Sequence, residues 1–421
     1  MNNLLKRSVN LLYLIFWSTK FKDNKNLEIH NILKPMILVA SLLGLLPHSV
    51  KFSKSKRNFK IIPYSIYLNC LYGVTILIIV LLFLVLHIRL VLAPIHFETK
   101  IMTQINYTVE LITFFILCCT VYFCAFLNRS KYIKILDMLV STWTNITYCD
   151  KRRIILEKIR FHRNIMIIGL MAIIIIQIYL NVSQRTTLWQ KLLVGISFDI
   201  PQLIQFSLHA FYTMLVISVS TILSIISDNC QLLENNKYKS YTTLEVKPRG
   251  KHIMTLRQME LMYRNAFEIK TYINDVFKCP MLASIFQSFH ALVSEGHTMY
   301  HGIMIKKSMT TYQILDCSVW IIYQFIKIYS LSYSGSLLKL EVSALKIGQA
   351  LHYIPTELQD LRHLMEVQHF STLLKYQSIE INLFGFFPLD ATLMFNVIVF
   401  FSLFSNYFFK IYLGTFFDFL E

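Results

Sequence analysis

The stretch GFFPLDATLMFNVIVFFSLFSNYFFKIY, Gly385 to Tyr412, decides the fold. From Ala391 to Phe409 it is almost wholly apolar and long enough to cross a bilayer as one helix. It opens with Pro388 and Asp390 and carries Asn396, Asn406 and Lys410. Such residues are costly against lipid and acceptable against water. Pro388 cannot continue an existing helix, and Asp390 is well placed at the start of the next one, where negative charge is favoured. The segment reads as a break, a restart and a helix that lines a polar path.

The remainder of the chain agrees. Of 421 residues, 55% are hydrophobic and only 15% charged, where a soluble chain carries about 25% charged residues. The mean hydropathy is +0.51. A net charge of +17 invites a nucleic-acid reading, but the basic residues cluster beside apolar runs. That pattern encodes membrane topology and attraction to anionic headgroups, and it argues against nucleic acid. The apolar patch near the N-terminus lacks the small-residue cleavage pattern of a secretory signal. Cys70, Cys118, Cys119, Cys124 and Cys317 lie in apolar runs and act as small hydrophobes. No CxxC pair appears.

Seven apolar runs reach spanning length, at 66–92, 106–126, 165–182, 201–226, 279–300, 311–333 and 384–409. The run ILKPMILVASLLGLLPHSV at 32–50 is too short to span and reads as an interfacial or partly inserted helix. Lys and Arg crowd the segment before the first run and the loops after the second and fourth, whereas the alternate loops are short and poor in charge. Positive-inside bias then predicts a cytoplasmic N-terminus and an extracellular C-terminus. The sequons at Asn106 and Asn181 fall at predicted outer ends. A receptor that couples to G proteins runs the opposite way.

With this topology the predicted outer halves of four spans carry polar groups. In the fifth, Gln287, His290, Ser294 and His297 share one helical face, with Glu295 beside it. The second brings Tyr107 and Glu110, the fourth Gln202, Gln205, His209 and Tyr212, and the sixth Gln313 and Asp316. Polar groups among aromatics such as Phe206, Phe211 and Trp320 suit a mainly apolar ligand pocket; singly, such groups also serve to tie helices together. Glu110, Glu295 and Asp316 fit either a cationic ligand or hydrated positions at the outer boundary. His297 and His301 have metal-ligand spacing but no third ligand, so neither metal nor other cofactor is expected.

The C-terminal block EVQHFSTLLKYQSIEINLFGFFPLDATLMF, Glu366 to Phe395, resembles the signature region of insect gustatory receptors. Glu366, Phe370, Ser371, Gly385, Phe386, Phe387, Asp390 and Leu393 fill the family positions. ILKPMILVASLLGLLP and LMYRNAFEIKTYINDVFKCPML resemble two further family segments. The resemblance implies a ligand-gated, non-selective cation channel, assembled as a homo- or hetero-tetramer around a pore lined by the seventh helices. It implies a small-molecule tastant as ligand and the plasma membrane of sensory neurons as location. Asn396, Phe404, Asn406 and Lys410 would then face or border the conduit.

The family ends this helix with Thr-Tyr-(five apolar)-Gln-Phe. Without gaps those positions read Leu403-Phe404 and Lys410-Ile411, while a shifted alignment matches Tyr407 to the family tyrosine. Four Lys410 side chains would ring the outer mouth and favour anions. Alternatively they snorkel into the interface, or are diluted by the glutamine of other subunits.

The expected fold class is all-α, a polytopic membrane protein of seven transmembrane helices with long inner helices forming an anchor. The expected divisions are 1–61, an N-terminal segment with its short helix; 62–333, six spans with the ligand pocket; 334–383, anchor helices; and 384–421, the pore-lining span and tail. An odorant receptor of the same architecture is the nearest alternative. A membrane enzyme or transporter is less well supported, since no His-Glu-x-x-His, Gly-x-Ser-x-Gly or equal repeat is found.

Overall fold

The computed structural model describes residues 28–46, 50–53, 58–61, 65–92, 101–146, 152–183, 185–242, 254–300, 302–303, 309–341, 347–348, 351, 361–377, 379–385, 387–400 and 402–403. Phe386, Phe404, Asn406 and Lys410 lie outside them.

In chain order the elements are α1 (Ile29–Leu42), β1 (Val50–Ser53), β2 (Asn58–Ile61), α2 (Ser65–Leu92), α3 (Ile101–Leu127), α4 (Arg129–Asn145) and α5 (Arg152–Ser183). Then come α6 (Leu188–Val194), a π-helical stretch (Gly195–Asp199), α7 (Ile200–Thr242), α8 (Leu256–Tyr300), α9 (Thr311–Glu341), α10 (Leu361–Tyr376), β3 (Asn382–Leu383) and β4 (Phe387–Pro388). An apolar helix, α11 (Ala391–Phe400), follows. The chain is a helical, multi-pass bundle, as expected, with two small antiparallel hairpins among the described residues, β1–β2 and β3–β4.

Among the described residues six helical stretches are long and apolar enough to cross a membrane, and the helices that carry them, α2, α3, α5, α7, α8 and α9, each contain one of the first six predicted spans. They overrun the prediction at one end or both because amphipathic turns continue the apolar ones in phase. The clearest case is α8. Leu256, Met259, Met262, Ala266, Ile269, Ile273 and Phe277, whose spacing in the sequence is close to that of an amphipathic helix, belong to the same helix as the fifth span and are all buried. Their partner lies within the chain. α4 packs along one side, tied by Lys131 Nζ to Asp275 Oδ2 at 2.7 Å. α10 packs on another, where Tyr263 meets Phe370 edge-on and donates to the Gln377 carbonyl at 2.7 Å.

Both α8 and α9 start on capping boxes. Gln258 N–H donates to Thr255 Oγ1 while Gln258 Oε1 accepts from Thr255 N–H. Thr310 and Gln313 repeat the exchange. Each satisfies donors that a helix start leaves orphaned. Gln313, expected from sequence near the ligand, thus serves as a cap.

α7 is the central helix. Nearly all of its apolar stretch is buried, whereas little of the apolar stretch of α5 is. Centrality explains why α7 tolerates Gln202, Gln205, His209, Thr213 and Ser218: inside a bundle such groups meet other helices rather than lipid. The short α1 packs against α5 and α7. Its Ile32, Leu33 and Met36 are buried, and Arg163 Nη1 donates to the Ile32 carbonyl at 3.0 Å.

Ahead of the last helix, β3 and β4 pair as Asn382 with Pro388 and Leu383 with Phe387. Phe384 and Gly385 turn the chain with φ of 53° and 76°; the second value is one that glycine adopts without steric cost. Leu389 N–H then donates to the Ile381 carbonyl at 3.0 Å. The expected break at Pro388 is therefore a hairpin, and the restart follows at Ala391.

Candidate functional site

A cavity of 210 Å³ opens at the end of the bundle predicted to be outer. α3 contributes Tyr107 and Glu110, α8 contributes Ser294 and Glu295, and α9 contributes Asp316, Cys317 and Trp320. Asn181 and Arg185, from the end of α5 and the connection after it, close one side.

The floor is aromatic. Trp320 lies 5.2 Å from Phe198 and stacks on Tyr323 at 5.3 Å, while Phe114 meets Phe198 edge-on at 5.1 Å. Trp320 Nε1 donates to Glu110 Oε1 at 2.9 Å. This bond satisfies one oxygen of a carboxylate that is 2% exposed.

The π-helical stretch shapes the adjoining wall. Such stretches recur at functional sites because the extra residue re-aims side chains. Here Ser197 and Phe198 are buried, and Asp199 Oδ1 accepts from Asn181 Nδ2 at 3.1 Å. That bond engages the Asn181 amide, the nitrogen a glycan would need. Ser197 Oγ donates to the Leu193 carbonyl at 2.7 Å and lies 2.6 Å from His87 Nδ1. Since Ser197 has spent its proton, His87 Nδ1 is the donor between them and His87 Nε2 accepts from Tyr107 Oη at 3.3 Å. The relay fixes the Tyr107 phenol at the cavity wall.

Deeper in the bundle lies a second polar group. Gln205 Nε2 donates to Gln287 Oε1 at 2.9 Å and to Ser284 Oγ at 2.7 Å. His209 Nε2 bonds Ser284 Oγ, and Lys327 Nζ donates to Gln287 Oε1 at 2.9 Å. These four helix-crossing bonds join α7, α8 and α9. They are the kind of interhelical contact that ties a membrane bundle together.

The cavity therefore presents three carboxylates, Glu110, Glu295 and Asp316, against one guanidinium, Arg185, over aromatic rings. The lining thus offers ring faces and charged groups side by side.

The family model described as 7tm Chemosensory receptor matches residues 33–406. The chain belongs to this family. It is a family of receptors rather than of enzymes. The fold is similar to that of the insect olfactory receptor OR5 from Machilis hrabei in complex with eugenol, with a TM-score of 0.66 and 11% identity over 90% of this chain and 97% of that one. A second structure of the same receptor matches with a TM-score of 0.64 and 11% identity over 90% of this chain and 97% of that one. No curated protein sequence matches the chain.

In this chemosensory receptor the residues singled out from sequence do not all come together. Glu110, Ser294, Glu295 and Asp316 line the cavity. Gln205, His209 and Gln287 belong to the deeper network, and Gln202 and Tyr212 are buried in the same region without lining the cavity. His290 and His297 are half-buried on α8 and do not line it either. Glu110 is not a hydrated boundary residue, the alternative that sequence left open.

Lys327, His87 and Arg185 escaped the sequence reading as site residues. Lys327 and His87 carried a signal nonetheless: an ionisable residue inside an apolar span is functional by default. Arg185 carried none, because it stands in a loop where positive charge also reports topology. Of the residues assigned to the conduit, Asn396 alone is described; it lies on α11 and is exposed, together with Phe395, Ile398 and Val399.

Proposed function

We propose that the chain is a subunit of a ligand-gated, non-selective cation channel of the gustatory type, in the plasma membrane of sensory neurons, with its N-terminus in the cytosol. The observation that carries the ligand half of this reading is the cavity between α3, α8 and α9. Two carboxylates in excess of the guanidinium, above an aromatic floor, suit a small molecule with a protonated amine and an apolar body.

The channel half rests on the resemblance at Gly385–Asp390 and on α11. An exposed Asn396 amid exposed Phe395, Ile398 and Phe400 makes physical sense where several copies surround a common aqueous path. Exposed Leu364 and Met365 on α10 offer a second surface for assembly. If the Lys410 side chain faces the conduit rather than the interface, Lys410→Gln raises inward cation current.

Expression alone and together with other family subunits tests the proposal. Agonist-evoked current is recorded for bitter amines, their uncharged analogues and sugars. Responses confined to amines support it, and equal responses to charged and uncharged analogues contradict the charge assignment. An odorant-receptor role of the same architecture is favoured by the likeness to the olfactory receptor OR5; volatile ligands in the same panel distinguish it.

A further inference from the structure

A second, larger cavity of 540 Å³ lies on the flank of the bundle between α2 and α3, away from the polar site. Its walls are Cys70, Val74 and Leu77 on one side and Cys119, Phe123 and Phe126 on the other. Val74, Phe123 and Phe126 are exposed, so the groove opens sideways, toward lipid in a spanning bundle.

Its hydroxyls are turned away from it. Tyr122 Oη donates to the Leu43 carbonyl at 2.6 Å, Tyr72 Oη to the Leu42 carbonyl at 2.8 Å, and Thr120 Oγ1 to the Ile116 carbonyl at 2.8 Å. The two tyrosines close one end of the groove on the terminal turn of α1. Gly73 gives Tyr122 its room: a Cβ at that position would lie 3.1 Å from the ring. With its donors spent on backbone, the groove complements hydrocarbon rather than a polar ligand.

Charge waits at the rim. The Arg129 guanidinium sits 5.4 Å from the centroid of Phe126, itself a wall of the groove. Neighbouring Lys131 is engaged by Asp275 at 2.7 Å, whereas Arg129 has the ring beneath it as its contact among the described residues. An apolar slot with an exposed guanidinium at its mouth has the division of a phospholipid, tail and phosphate.

We propose that this groove binds an anionic phospholipid, one acyl chain lying between α2 and α3 and the phosphate facing Arg129. The site is separate from the ligand cavity, and its occupant comes from the membrane.

The full-length protein in nanodiscs, photolabelled with phosphatidylserine or phosphatidylcholine carrying a diazirine in one acyl chain, tests this. Adducts should concentrate on residues 70–77 and 119–126 and be more abundant with the serine lipid. Arg129→Gln should lower phosphatidylserine labelling there by about fivefold, the worth of one basic side chain at an anionic surface, and Arg129→Lys should restore it. Val74→Trp, which fills the slot, should reduce labelling by both lipids. Adducts as dense on the exposed face of α5 as in the groove would overturn the proposal. So would equal labelling by the two headgroups, indifference to Arg129→Gln, displacement of the probe by sterol alone, or cross-links to a second copy of the chain in place of lipid.

Discussion

Lys339 Nζ lies 2.8 Å from Asp390 Oδ2 and so joins the end of α9 to the start of the last helix, across 51 residues of sequence. The other oxygen of Asp390 accepts from Thr392 N–H at 2.9 Å. One carboxylate thus caps α11 and fastens it to α9, the helix that also lines the 210 Å³ cavity through Asp316, Cys317 and Trp320.

Asp390→Asn keeps an oxygen for Thr392 and loses the ion pair, whereas Asp390→Ala loses both. A lost cap costs about 1 kcal/mol, and a partly exposed ion pair adds about 0–1 kcal/mol. Thermal melts of solubilised protein should rank wild type, Asn and Ala in that order. Equal melting of the Asn and Ala variants would contradict the capping role.

Gly335 sets how closely α9 approaches the same point. A Cβ there would sit 1.3 Å from the Leu389 carbonyl oxygen, which no local adjustment absorbs. Gly335→Ala is expected to separate α9 from the start of α11 and to change the open probability of any channel formed. At Gly169 a Cβ meets nothing within 4 Å, so Gly169→Ala in α5 should be neutral or stabilising by up to about 1 kcal/mol. Identical currents and melts for the two variants would refute the close-contact argument.

The cavity between α3, α8 and α9 makes a charge-specific prediction. Glu295→Gln or Asp316→Asn should raise the half-maximal concentration of an amine agonist by about tenfold, the value of one charge-assisted contact. An uncharged analogue should be unaffected. Dose–response curves for the pair decide, and parallel shifts of both would point to damaged folding instead.

The buried Lys327–Gln287 contact is asymmetric. Lys327→Met removes a buried amine and leaves Gln287 Oε1 bonded to Gln205, so stability should change little. Gln287→Leu takes away the hydrogen-bond acceptor of the buried Lys327 amine and should cost about 2–3 kcal/mol. Melting temperatures in one detergent compare them, and a Met variant less stable than the Leu variant would reverse this reading.

Much of the bundle was legible because membrane helices announce themselves by length and apolarity. The six long helices and the amphipathic run Leu256–Phe277 followed from run length and from 3.6-residue spacing. The union of that run with the fifth span was hidden by Pro280, which reads as a boundary and is instead buried inside α8. Neighbouring helices compensate a proline within a membrane bundle.

At the site, Glu110, Ser294, Glu295 and Asp316 were visible as polar groups at one depth, and depth is what a span's sequence encodes. Which of them share a cavity depends on helix rotation and on the π-helical stretch, neither of which periodicity fixes. The Lys339–Asp390 contact and the His87–Tyr107 relay join helices whose mutual placement no single segment specifies.

The central claim is that α11 borders water shared between several copies of the chain. Cysteine placed at Asn396, in channels activated by agonist, meets a membrane-impermeant methanethiosulfonate reagent applied from outside, with wild type controlling for the natural thiols. The account predicts rapid, agonist-dependent block of current in Asn396→Cys and none in wild type. Unchanged current through a variant that still responds to agonist would place residue 396 in lipid and contradict the claim.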